Sequence, residues 1–163
     1  MQVLFVCTGN TCRSPAAAAI LQQQLHTAGC FDWSVGSAGI KVSEGQSAAP
    51  FNISLFAERG IDLTTHRSRA FNLDLITPST LVLGMEQAHI DWIKHCYPSQ
   101  LKKVYMLSEM SDRRYDVPDP YGQSLAAYRQ MMTELTSLIE AGLPRIIAVV
   151  EDENGRFPTD RLL

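Results

Sequence analysis

The strongest constraint on this chain is an alternation. Short apolar runs at residues 2–7, 33–38, 80–85 and 103–107 are separated by stretches with helical patterning. Strands that follow one another only through helical crossovers pair in parallel, with the helices covering both faces. Near-continuous apolar runs suit strands buried on both sides. The expectation is therefore a four-stranded parallel α/β sheet, and in such sheets ligands bind outside the carboxyl ends of the strands. The first helix reads as residues 16–29 after Pro15, whose missing N–H does no harm in a first turn, with Ala19, Ile20 and Leu25 facing inward. A second covers 51–59 and closes at Gly60, a turn of helix at 74–76 stops before Pro78, and further helices cover 86–96 and about 124–141. Residues 40–50 and 108–122 read as loops. Beyond Pro144, residues 145–150 are rich in β-branched side chains and read as an edge strand, an interface or an apolar patch laid on the helices. The expected organisation is a single domain over 1–163, with residues from about 144 an extension.

The first strand runs into Cys7-Thr8-Gly9-Asn10-Thr11-Cys12-Arg13-Ser14-Pro15. Strand, tight polar loop and helix start converge backbone N–H groups on a small space suited to an anion. Taken alone, a cysteine closing a strand is a small core residue. The full Cys-x5-Arg-Ser spacing, placed between strand and helix, points instead to phosphate chemistry. A cysteine attacks as its thiolate, and the loop N–H groups, the helix N-terminus and Arg13 all favour that charge. Ser14 can donate its hydroxyl to the same sulfur. The planar fork of Arg13 can hold two oxygens of a transferring phosphoryl group, which a lysine cannot do equally well.

Such a reaction also needs a proton donor for the leaving group. Asp119-Pro120-Tyr121-Gly122 is best placed, because Pro120 holds Asp119 extended and so directs its carboxyl group. Asp116 and then Asp112 are weaker alternatives, and Asp-Pro taken alone is simply a turn.

Composition narrows the field. With 163 residues the chain can bury a core without disulfides or metals, and a formal net charge of −3 gives no reason to expect nucleic acid. The cysteines, Cys7, Cys12, Cys30 and Cys96, have no zinc-like spacing. No charged-then-apolar leader precedes the first strand and no run is long enough to span a bilayer, so the expected setting is the reducing cytoplasm, with no membrane partner. Nothing in the sequence bears on the oligomeric state.

These motifs resemble the low-molecular-weight protein tyrosine phosphatases over about residues 2–141, through Cys7–Pro15 near the N-terminus and Asp119-Pro120-Tyr121 late in the chain. The resemblance implies a flavodoxin-like fold, no cofactor or metal, and a phosphorylated protein or peptide as substrate, with phosphate and other oxyanions as inhibitors. It implies a phosphocysteine intermediate on Cys7, with Arg13 and the loop residues Thr8, Gly9, Asn10, Thr11, Cys12 and Ser14 around the phosphate. Asp119 would protonate the leaving group and then activate water. Asn10 would shape the loop through Ser14, Ser37 and His66, which suits a residue that tolerates the left-handed conformation. Thr8, Thr11 and Tyr121 would line the substrate cleft. Cys12 would form a reversible disulfide with Cys7 that prevents over-oxidation.

Two departures concern the substrate. The common family loop has isoleucine where this chain has Thr11, and the threonine form resembles the protein-arginine phosphatase branch. Threonine is smaller and adds a hydroxyl, so it opens the pocket and offers a polar contact to a guanidinium. Segment 40–50, where many relatives carry an aromatic wall, has none. Phosphotyrosine remains the first expectation and phosphoarginine the alternative. An arsenate reductase would need a later pair of relay cysteines, and Cys30 and Cys96 are single. A flavodoxin-like electron carrier would leave Cys7, Arg13 and Asp119 without a task. A silent phosphoprotein-binding module would normally lack the nucleophile or the acid.

Overall fold

The computed structural model describes residues 1–152. Among them, β1 Gln2–Cys7, β2 Ser34–Gly39, β3 Leu81–Gly84 and β4 Val104–Met106 form one sheet in the order β2-β1-β3-β4. Every pairing is parallel. The connections contain α1 Arg13–Thr27, α2 Pro50–Ala57, α3 Leu73–Ile76 and α4 Gln87–Cys96, and α5 Leu125–Glu151 follows the last strand. This is the flavodoxin-like α/β arrangement expected from the alternation. The order reverses at β1, which has β2 on one side and β3 on the other, so a crevice opens beyond the ends of β1 and β3.

Strand side chains alternate between two cores. Val3, Phe5, Cys7, Leu81 and Leu83 pack with residues of α1, α2 and α5, whereas Leu4, Val6, Val82, Val104 and Met106 pack with residues of α3 and α4. Cys7 thus ends β1 on the α1 side. Helix α1 begins at Arg13, earlier than residue 16, with Cys12 as its N-cap. Pro15 still falls in the first turn, and the N-terminus of this 15-residue helix opens directly onto the loop.

The loop rests on the end of β2. Cys7 is in register with Gly39, and Ile40 and Lys41 donate to Cys7 O and Thr8 O, both at 3.0 Å. A Cβ on Gly39 would lie 2.6 Å from Thr8 O and 2.5 Å from Val42 Cγ2, so only glycine admits this approach.

The edge-strand reading of 145–150 is corrected: α5 continues through Pro144 to Glu151. An interior proline costs about 3 kcal/mol. Ile146, Val149 and Val150 are buried in the larger core, and such side chains contribute about 1.5–3 kcal/mol each. Burial wins, and the pattern that reads as strand is the inward stripe of a helix. Gly142 allows that part of α5 to approach the 3-10 turn Leu107–Ser111, since a Cβ there would sit 2.8 Å from Met110 Cβ. Among the described residues, no helix is long and apolar enough to cross a membrane.

Candidate active site

The loop turns at Asn10, which has a φ of 55° and is fully buried. Four hydrogen bonds at its side chain and carbonyl hold it in this left-handed conformation. Nδ2 donates to Ser14 Oγ and Ser37 Oγ, each at 2.9 Å, and Oδ1 accepts the Arg69 N–H at 2.9 Å. His66 Nε2 lies 2.8 Å from Asn10 O. The contact with the Arg69 backbone is one that sequence reading did not anticipate. Burial, the largest influence on His66, lowers its pKa.

Cys7, 2% exposed, lies at the floor of a cleft. Its Sγ accepts the Asn10 N–H at 3.2 Å and lies 2.9 Å from Ser14 Oγ. Ser14 Oγ already accepts from Asn10, so its own proton is available to the sulfur, with Ala38 O a longer alternative at 3.3 Å.

Arg13, 1% exposed, lines the same cleft as Cys7. Nη1 contacts the Glu86 carboxylate and donates to Val117 O at 3.0 Å. Nη2 donates to Asp119 Oδ2 at 2.7 Å and, at 3.4 Å, to Thr8 Oγ1. Two carboxylates therefore offset a buried guanidinium that would otherwise be costly. Its buried Nε finds no partner among the described residues.

Of the three acidic alternatives, Asp119 alone lines the cleft. Its Oδ1 accepts the Tyr121 N–H at 3.2 Å and its carbonyl accepts Gln123 Nε2 at 2.7 Å. Asp116 instead accepts the Gln87 N–H at the start of α4, and Asp112 pairs with Arg145. Tyr121 lines the cleft but is 74% exposed, and Thr8, Gly9, Thr11 and Cys12 line it with Cys7. Cys12 Sγ contacts Tyr128 Oη at 3.1 Å, and burial pushes the Cys12 thiol pKa up. All four cysteines are free thiols; Cys96 is exposed at the far end of α4.

Several residues at the site escaped sequence reading. Phe51, just outside segment 40–50, supplies an aromatic to the cleft and meets Tyr128 edge-on at 5.3 Å between centroids. Asn52, fully buried, donates to Cys12 O at 2.7 Å and Thr11 O at 3.3 Å, tying α2 to the loop. Nothing in its local sequence marks that role. Glu86 and His89 could have been suspected, because they follow β3 and so lie on the same sheet edge as Cys7.

The pattern of the family described as low molecular weight phosphotyrosine protein phosphatase matches residues 2–154. The chain is 35% identical over 147 residues to the Probable low molecular weight protein-tyrosine-phosphatase EpsP of Ralstonia nicotianae, covering 90% of this chain and 97% of that one. It is 38% identical over 141 residues to a protein-arginine-phosphatase of Geobacillus stearothermophilus, covering 85% and 91%. The solved structure of a low molecular weight protein tyrosine phosphatase from T. tengcongensis superposes with a TM-score of 0.84 at 36% identity, covering 88% of this chain and 98% of that one.

Proposed function

The chain belongs to the low molecular weight phosphotyrosine protein phosphatase family, and from that premise we propose that it hydrolyses phosphotyrosine on proteins through a phosphocysteine intermediate on Cys7. It is a cysteine-dependent phosphatase. The observation that carries it is the Cys7 sulfur, held by the Asn10 N–H and Ser14 in the cleft that the Arg13–Asp119 pair also lines. The phosphoryl group displaces Asp119 from Arg13. Asp119, then protonated, gives its proton to the departing phenolic oxygen while the Cys7 thiolate attacks phosphorus and the phosphorus–oxygen bond breaks. Arg13 and the loop N–H groups hold the phosphoryl oxygens. Asp119, now a carboxylate, takes a proton from water, whose oxygen attacks phosphorus, and the Cys7–phosphorus bond breaks to release phosphate. Asn10, Ser14, Ser37 and His66 keep the loop in shape, and Thr8, Thr11 and Tyr121 border the substrate. Cys12 acts as the disulfide partner that protects Cys7 from over-oxidation. We further propose a single-domain enzyme of the cytoplasm, inhibited by phosphate and related oxyanions.

An aryl phosphate series tests this reading. Cys7→Ser should abolish turnover while leaving the far-ultraviolet circular dichroism unchanged; substantial remaining turnover would refute it. Asp119→Ala should slow poor leaving groups by about 10²- to 10⁴-fold and good ones less. Equal loss for both would assign the acid elsewhere.

Phosphoarginine is the second reading, favoured by the Thr11 hydroxyl in the cleft and by the protein-arginine-phosphatase relative. Rates on matched phosphotyrosine and phosphoarginine peptides decide it. Thr11→Ile should shift their ratio toward phosphotyrosine, and an unchanged ratio removes threonine as a determinant.

A further inference from the structure

The hydrogen bonds at the start of α4 determine the position of a proton beside the cleft. His89 is 1% exposed, and its Nδ1 lies 3.1 Å from the Glu86 N–H. A backbone N–H can only donate, so Nδ1 is the acceptor and carries no proton. Neutral imidazole then holds its proton on Nε2, which is 3.0 Å from Thr8 Oγ1. The ring therefore donates to Thr8. Burial is the largest influence on the ring and lowers its pKa, with Arg13 acting in the same sense; the Glu86, Asp116 and Asp119 carboxylates oppose it. The net direction favours the neutral form.

Thr8 Oγ1 also receives the longer contact from Arg13 Nη2 at 3.4 Å. Both of its contacts thus come from donors, and its own O–H remains to be given. Among the described residues no acceptor takes that proton, and Thr8 lines the cleft beside Cys7 and Arg13. The same helix start controls the guanidinium, because the Glu86 carboxylate accepts from the His89 backbone N–H and also pairs with Arg13.

We propose that the Thr8 hydroxyl donates a hydrogen bond to an oxygen of the bound phosphoryl group, and that His89 is a positioning residue that aims it. The polarity runs from the Glu86 N–H through the imidazole to Thr8 and then to the ligand. It adds a neutral donor to a seat otherwise built from Arg13 and backbone N–H groups. The inference rests on the phosphatase reading and deepens it, giving a side-chain role to the residue after the nucleophile and a task to a buried histidine outside the loop.

The test uses the full chain with Thr8→Val, Thr8→Ser, His89→Leu and the Thr8→Val/His89→Leu pair. Turnover of p-nitrophenyl phosphate, inhibition by inorganic phosphate and the imidazole ¹⁵N spectrum are measured. Thr8→Val should lower kcat/KM and weaken phosphate inhibition, each about tenfold, the scale of one hydrogen bond to a charged group. Thr8→Ser should restore most of both. His89→Leu should cause a loss in the Thr8 protein and none further in the Thr8→Val background. The spectrum should report a neutral ring protonated on Nε2. Unchanged phosphate inhibition in Thr8→Val, an equal His89→Leu loss in both backgrounds, or a ring protonated on Nδ1 would each overturn the proposal. If His89→Leu does not fold, the Thr8 variants and the wild-type spectrum still decide. A wild type without turnover would refute the phosphatase reading, whereas phosphate binding and the spectrum would still test the relay.

Discussion

At the scale of single residues, His66 links stability to pH. Burial lowers its pKa from the ordinary 6.5, so the folded protein binds this proton less readily than the unfolded chain. The contribution is complete above the unfolded value and is lost as pH falls through the lower folded one. His66→Gln should therefore flatten the decline in unfolding free energy as pH falls below the ordinary histidine value of about 6.5, read by urea titration; an unaltered slope would contradict the assignment. The same scale shows what local sequence can carry. Cys7, Arg13 and Asn10 lie within one strand–loop–helix turn, so spacing alone brings them together. Asp119 was accessible because a proline follows it. Glu86, His89 and Asn52 meet the loop only when β3, α4 and α2 dock, and the Asn52 contacts span some 40 positions of sequence. No spacing within a short window reports such contacts.

At the scale of elements, the site depends on how closely the loop sits on β2. Gly39→Ala places a Cβ within 2.6 Å of Thr8 O and 3.0 Å of Asn10 N. Backbone must move to relieve that contact, and the cost should be about 1–3 kcal/mol. The expected result is a lower urea midpoint together with a loss of aryl phosphate turnover larger than the stability change explains; full turnover would mean that the loop tolerates displacement. The elements themselves were legible where apolar runs were short and bounded by turn residues. The failure lay in α5, where residues 145–150 after Pro144 read as an edge strand, an interface or an apolar patch and not as more helix. Local propensity and Pro144 both argued against a helix there, and the core beneath outweighed them.

At the scale of the whole molecule, α5 joins the cleft to the base of the core. It follows directly from the Asp119 segment, contacts Cys12 through Tyr128, and ends with Val149 and Val150 buried. A chain ending at Ala141, where the helical pattern runs out in sequence, loses three core side chains worth about 5 kcal/mol or more together. That is comparable with the entire stability of a domain, about 5–15 kcal/mol. Such a chain should show no cooperative unfolding transition by calorimetry, and a transition at the original temperature would mean that the last turns of α5 are dispensable. The ion pairs at Arg13 have a consequence for turnover as a cycle. With Nη2 paired to Asp119 at 2.7 Å, an oxyanion held by Arg13 as proposed would exchange with a carboxylate already in place. After product phosphate departs and Asp119 gives up its proton to solvent, its carboxylate would rejoin the guanidinium, which Glu86 also pairs. The proposed affinity for product would be reduced by the strength of that internal pair, which would favour release of the ion.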